Sequence, residues 1–248
     1  MGILNVRVDN LERKEILEKI SLFLSEEKFH QIATVNPEFV LEAQKDEEFK
    51  KVLNNCDLNV ADGIGIKLAY WWLRGKLKCR MAGIDLMQEI LKIANERKLK
   101  IFLAAKSGGL SSFEETKDAI LKIYPSLKID GENIKCHSAL DAESTLSIYG
   151  SVDSRFRGND IEADVIFANF GAPFQEKFLS SLKCDKIKLA VGVGGSFDYL
   201  TGKLKRAPKW MQFFGVEWLW RLLLQPKRIG RIFDAVIVFP IKLFFNSK

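Results

Sequence analysis

Cysteine is scarce in this 248-residue chain. The four present (Cys56, Cys79, Cys136 and Cys184) are widely spaced and form no C-x-x-C pair. A disulfide framework and a cysteine-held structural zinc are excluded, and a reducing compartment is the simple expectation. Histidine is scarcer still: His30 and His137 are the only two, and they fit no triad spacing. Long apolar runs are also missing. The longest in the C-terminal region, residues 235–241, is far short of the ~20 residues that a spanning helix needs. The opening MGILNVRVDNLERKE turns charged too early for a secretion signal, and Val6 stands where a myristoylation pattern needs Ser or Thr.

Charge, by contrast, is plentiful and uneven. The net charge is +6. Residues 203–248 hold ten basic residues against only Glu217 and Asp234, a net of +8, which leaves −2 for residues 1–202. Among these cations stand Trp210, Phe213, Phe214, Trp218, Trp220, Phe233, Phe239, Phe244 and Phe245. Basic and aromatic residues mixed in this way suit an anionic membrane surface, where each cation contributes roughly 1 kcal/mol. The same mixture suits nucleic acid, and it is equally what a helix pair packed on a core with its charged side wet would show. The expected organisation is one main domain, residues 1–202, with a helical appendage, residues 203–248.

Within residues 1–202 strands alternate with helices. Strands are expected at 3–8, 30–35, 57–61, 100–105, 127–130, 163–169 and 186–193. Helices are expected after Asp9 or Asn10, after Asn36-Pro37, at 64–74 and 84–97, and from Ser107-Gly108-Gly109 to Tyr124. Runs such as VIFA and LAVGV read as buried parallel strands. The fold class is therefore α/β, a Rossmann-like sandwich with a mostly parallel sheet. Ligands of such sheets bind at the carboxyl ends of the strands, where Thr34, Asn36, Asp62, Gly108, Gly109, Asn169, Gly171, Gly194 and Gly195 gather along one rim. Residues 149–161 (YGSVDSRFRGNDI) lack periodicity and read as an exposed insertion.

Glycine turns at strand ends suit a phosphorylated ligand, or simply tight packing. Neither dinucleotide fingerprint is complete, since Leu68 and Phe197 stand where a third glycine belongs, and no Walker loop occurs. Asp62 follows a strand and precedes Gly63, so it can cap the next helix or act as a general base on a hydroxyl. With no Asp-x-Asp pair to hold a metal-bound sugar nucleotide, arginines are the candidates for neutralising a diphosphate: Arg80, Arg206 and Arg221. Read this way the residues leave three functions open: a transferase, a nucleotide or nucleic-acid binder with a basic tail, and a dehydrogenase.

Six blocks in order carry a resemblance: ATVNPEFV (33–40), NVADGIGI (59–66), RMAGIDLM (80–87), NFGAPFQEKF (169–178), GVGGSFDYLTGKLKRAPKWM (192–211) and GVEWLWRLLLQPKRIGRI (215–232). Together they make the sequence similar to the WecG/TagA/CpsF glycosyltransferases over nearly its whole length. The resemblance implies an inverting, metal-independent transferase without a cofactor. It would move N-acetylmannosamine from a UDP-linked donor to undecaprenyl-diphosphate-linked GlcNAc, making a lipid-linked disaccharide for teichoic acid or another surface polysaccharide; the uronic acid or glucose are alternative donor sugars. It implies Asp62 as base, with Thr34 and Asn36 positioning sugar or acceptor. Arg80 and Gln175 fall at the donor site, with Gly194, Gly195 and Asp198 on the nucleotide side and Arg206 among the binding cations. One or more of Arg221, Arg228 and Arg231 would close over the diphosphates when the tail touches the membrane, Pro226 bending the helix between the first two. A cytoplasmic protein, peripheral on the inner face of the membrane, follows, with no nucleic-acid partner and its oligomeric state open.

Overall fold

A computed structural model describes residues 2–135, 161–184 and 186–246. Six parallel strands form the central sheet: β3 (His30–Val35), β4 (Leu58–Ala61), β5 (Lys100–Lys106), β6 (Lys128–Ile134), β7 (Val165–Ala168) and β8 (Leu189–Gly192), in the order β4-β3-β8-β7-β5-β6. Alternate residues serve opposite faces, as a pleated strand requires. Ile32, Leu58, Val60, Leu103, Phe167 and Val191 point to one buried cluster with α1 (Arg13–Phe23), α5 (Gly83–Arg97) and α6 (Phe113–Ile123). Ala33, Val35 and Ala61 point to a second cluster with α2 (Pro37–Glu42), α3 (Glu47–Asn55) and α4 (Ile64–Trp72). Ala104, Ile166 and Ala190 point to a third with α7 (Phe174–Ser181). Both faces are covered over the middle of the sheet, so β7 and β8 read as unbroken apolar runs, while the edge strand β6 (KIDGENI) stays polar and partly exposed.

The α/β architecture with a parallel sheet is as expected, with local corrections. Residues 3–8 form a hairpin of β1 (Gly2–Ile3) and β2 (Val6–Arg7), because Leu4 and Asn5 take positive φ in a tight turn. Asp9 and Asn10 do not cap α1. Asp9 accepts the Asn59 amide (2.8 Å), and Asn10 bonds Lys76 O and Lys78 N, so both tie the N-terminus to the core instead. The N-cap of α1 is Glu12, whose amide donates to Glu15 Oε2 (2.6 Å). β6 runs on to Ile134, further than the expected 127–130. His30 is a core histidine, stacked on Phe23 (4.2 Å) with Nε2 2.8 Å from Glu26. The 149–161 segment and His137 lie outside the described residues, save Ile161, which is buried.

After α8 (Ser196–Leu200) the chain leaves the sheet. α9 (Lys209–Phe214), α10 (Glu217–Leu224), a 3-10 turn at Pro226–Arg228, α11 (Ile229–Phe233), a π-helical stretch at Asp234–Val238 and α12 (Phe239–Asn246) wrap across the C-terminal rim. The break after α10 falls at Pro226, which has no N–H to continue the helix. Phe239 and Leu243 sink into the same cluster as Phe39, Phe49 and Tyr70, and Met211 is also buried. In α10, by contrast, no residue is buried. The tail is thus packed on the core by part of its surface while leaving other apolar side chains outside. Among the described residues no helix is long and apolar enough to cross a membrane.

Candidate active site

Strand ends and tail enclose a cavity of about 1470 Å³. All twelve residues singled out from the sequence border it: Thr34, Asn36, Asp62, Arg80, Gln175, Gly194, Gly195, Asp198, Arg206, Arg221, Arg228 and Arg231. The parallel sheet sends every strand's carboxyl end to the same rim, which is why residues far apart in sequence meet there.

Asp62 follows the last residue of β4. Its amide donates to Val35 O (2.8 Å), extending the ladder with β3 and fixing the backbone. Its carboxylate does not cap α4, whose N-cap is Gly63 with no side-chain cap bond. Gly65, next in the turn, is dictated by packing, since a Cβ there would overlap the Pro37 ring. Asp62 keeps some surface open to the cavity but is otherwise ringed by protein. Loss of hydration, reinforced by the Glu217 carboxylate and opposed by Arg80, the Gly63 amide and Arg221, raises its carboxyl to about 6. A carboxylate so tuned is mostly ionised at neutral pH and is a stronger base than an ordinary one.

The neighbouring positions have structural duties as well. Thr34 Oγ1 donates to Gly192 O (3.3 Å), linking β3 to β8 at the rim. Asn36 Oδ1 caps α2 by accepting the Phe39 amide (3.0 Å). Gln175 is buried, and its Oε1 accepts the amides of Gly171 (3.0 Å) and Gly194 (3.2 Å), pinning two glycine turns together, while Nε2 donates to Glu176 Oε1 (2.5 Å). Gln175 therefore shapes the rim from beneath. Glu176 is fully buried and burial pushes its carboxyl up to about 8, so it is largely neutral at pH 7. Asp198 accepts the Ser111 hydroxyl (2.9 Å).

The cations divide into two groups. Arg206 makes a bidentate pair with Asp85 (2.6 and 2.7 Å), which locks the start of the tail to α5 and leaves little of its fork for a ligand. Arg80 reaches into the tail, donating to Gln212 O (2.8 Å) with Glu217 3.7 Å away. Arg221 lies over the Tyr199 ring (5.6 Å) and directly on Gly195, where any Cβ would collide with its guanidinium; its buried Nε has no partner. Arg231 Nε is 2.8 Å from Glu38. Burial, together with the like charges of Arg221 and Arg231, lowers Arg228 to about 10, so it stays charged. Three guanidinium groups thus crowd one wall of the cavity, an arrangement that favours an anion. Three acidic or aromatic members were not evident from sequence: Glu38, Tyr199 and Glu217. Glu217 had one signal, being one of only two acids in a basic tail. Among the described residues no group of three or more His, Cys, Asp or Glu is placed to hold a metal ion.

Comparison with known proteins identifies the family. The model of the glycosyl transferase WecG/TagA/CpsF family matches residues 1–248. An N-acetylglucosaminyldiphosphoundecaprenol N-acetyl-beta-D-mannosaminyltransferase of Bacillus subtilis (strain 168) is 33% identical over 233 residues, covering 91% of this chain and 80% of the relative. The protein of the same name from Staphylococcus aureus (strain MRSA252) is 30% identical over 246 residues, covering 98% and 91%. With a rim carboxylate facing a wall of arginines and a family match along its whole length, the chain belongs to the WecG/TagA/CpsF family of glycosyl transferases.

Proposed function

We propose that the protein transfers N-acetylmannosamine from UDP-N-acetylmannosamine to GlcNAc linked to undecaprenyl diphosphate, in one displacement that inverts the anomeric centre. The observation that carries the reading is Asp62: a rim carboxylate raised to about 6, free of capping duty, in the same cavity as Arg80, Arg221 and Arg228. The acceptor hydroxyl attacks the anomeric carbon as Asp62 takes its proton. The bond from that carbon to the UDP oxygen breaks, and the electron pair leaves with the diphosphate. Charge grows on that diphosphate in the transition state, and the arginines bordering the same cavity would neutralise it. Attack and departure on opposite faces, with no enzyme nucleophile between, account for inversion. The positive charge comes from side chains, which supports chemistry without a metal ion or other cofactor.

Names of the relatives support the acceptor and the mannosaminyl group. The +8 charge of the tail and its exposed Trp210, Phe213, Leu223 and Phe245 support binding on the inner face of an anionic membrane, where such an acceptor resides. The test is incubation with lipid-linked GlcNAc and separate UDP-sugars, followed by mass spectrometry of the lipid product. Addition of an N-acetylhexosamine from UDP-N-acetylmannosamine alone is the expected result. Transfer of the uronic acid or glucose instead would reassign the donor, and no transfer from any of them would overturn the reading.

A further inference from the structure

α4 is an unusual surface helix. Its sequence, IGIKLAYWW, has one charged residue, Lys67. Ile66, Ala69 and Tyr70 face the core, and a surface helix ordinarily presents polar residues opposite such a stripe. Here the other side carries Leu68 and Trp71, 54% and 73% exposed. The tail crosses α4 at its two ends. At the start, Gly215 sits on Ile64, where a Cβ would approach Ile64 Cδ1 to 2.7 Å. At the finish, Phe244 packs against Trp72, with ring centroids 5.6 Å apart. Leu68 and Trp71 of α4 border the cavity together with Ile232 and Val236 of the tail. α4 itself is roughly 13 Å long for its nine residues, and Leu68, Trp71 and Trp72 from it border the same cavity as Phe244 and Phe245 of the tail. At the N-terminal end of α4, beside Asp62, the cavity wall becomes cationic with Arg221, Arg228 and Arg231.

From this gradient we infer that the channel between α4 and the tail binds the first isoprene units of the acceptor, with the attached diphosphate at the arginine end. The inference rests on the lipid-linked acceptor proposed above and adds a place and a set of residues that read the hydrocarbon. Its occupant is fixed by charge and polarity together: a group of concentrated negative charge joined directly to an apolar chain. Trp210 and Phe213, exposed on the tail, do not border the cavity, whereas Leu68 and Trp71, exposed as well, do. The channel lets the enzyme select a prenyl diphosphate by its proximal segment, leaving the remainder of the chain in the membrane.

The test uses the full chain without vesicles or detergent. Inorganic diphosphate and dimethylallyl, geranyl and farnesyl diphosphates are titrated calorimetrically below their micelle-forming concentrations. Affinity is expected to rise about tenfold per isoprene unit, the equivalent of ~1.4 kcal/mol of partly buried hydrocarbon, and to level off when the chain outruns the channel. Leu68→Gln combined with Trp71→Ala, both at exposed positions, is expected to flatten that rise and leave inorganic diphosphate binding unchanged. Trp210→Ala with Phe213→Ala is expected to weaken binding to anionic vesicles and preserve the rise. No dependence on chain length in the unaltered protein would overturn the inference. So would a rise that survives loss of Leu68 and Trp71, or one lost equally with Trp210 and Phe213. Sugar transfer to lipid-linked GlcNAc is measured separately: transfer with a flat series defeats the channel alone, and a rising series without transfer defeats the acceptor alone.

Discussion

Core and tail solve opposite problems with similar residues. In the core, strand after strand is buried on both faces, and the polar groups at the rim are tied down: Thr34 to Gly192, Asn36 to α2, Gln175 to two glycine turns. Residues 203–246 bury only a few anchors, chiefly Met211, Phe239 and Leu243, and leave Trp210, Phe213, Leu223 and Phe245 outside. The rim carboxylate Asp62 comes from the core, and Arg206, Arg221, Arg228 and Arg231 come from the tail. The lesson is that the cavity is a composite: the sheet edge supplies rigid geometry, and the appendage supplies charge and an apolar surface. Arg80 shows the dependence directly, because this core residue is held by Gln212 and Glu217 of the tail.

The largest expected effect lies in the core. Asp62→Asn should lower turnover by about 10²–10⁴-fold, the usual contribution of a general base, with UDP-sugar affinity nearly unchanged. Next, Arg221→Ala should lower turnover by about 10²–10³-fold if it faces the leaving diphosphate, and steady-state kinetics would show the loss mainly in kcat. Third, the packed half of the tail can be separated from its charged half by Phe239→Ala. Emptying that buried site should cost about 3–5 kcal/mol in denaturant unfolding, so removal of the whole tail is expected to weaken the core as well as membrane binding.

Two smaller effects depend on pH. Glu176 is raised to about 8 from a usual 4.5. Between those values the native state holds a proton that the unfolded chain releases, so stability falls as pH rises through that window. Asp62 acts with the same sign between 3.8 and about 6. Glu176→Gln should therefore flatten the stability curve between pH 4.5 and about 8, measured by thermal unfolding across pH. Glu217→Gln removes a negative neighbour of Asp62, so the acidic limb of the kcat profile should move to lower pH, with little change in rate at neutral pH.

Much of the fold was legible because buried parallel strands have a local signature: VIFA and LAVG, each followed by a glycine turn, need no long-range information. The rim residues were legible for the same reason, since their place at a strand end is a property of the neighbouring sequence. Partners distant in the chain were not. Nothing near Arg206 announces Asp85, 121 positions away, and nothing near Arg231 announces Glu38, 193 away. The bracing role of the Gln175 carboxamide, which ties together the Gly171 and Gly194 turns, was equally hidden. The tail's double character was also hidden, because Phe239 and Phe244 are the same residue type in the same helix and only packing decides which is buried. The hairpin at residues 2–7 escaped because Leu4 and Asn5 are not the glycine-containing pair that usually marks such a turn.

The most direct test of the composite site is the pH dependence of kcat for sugar transfer, with donor and acceptor saturating, in the unaltered protein and in Asp62→Asn. The account predicts an acidic limb near pH 6 in the former, and in the latter a residual rate lacking that limb. Transfer by Asp62→Asn at the full rate, with the limb intact, would contradict it.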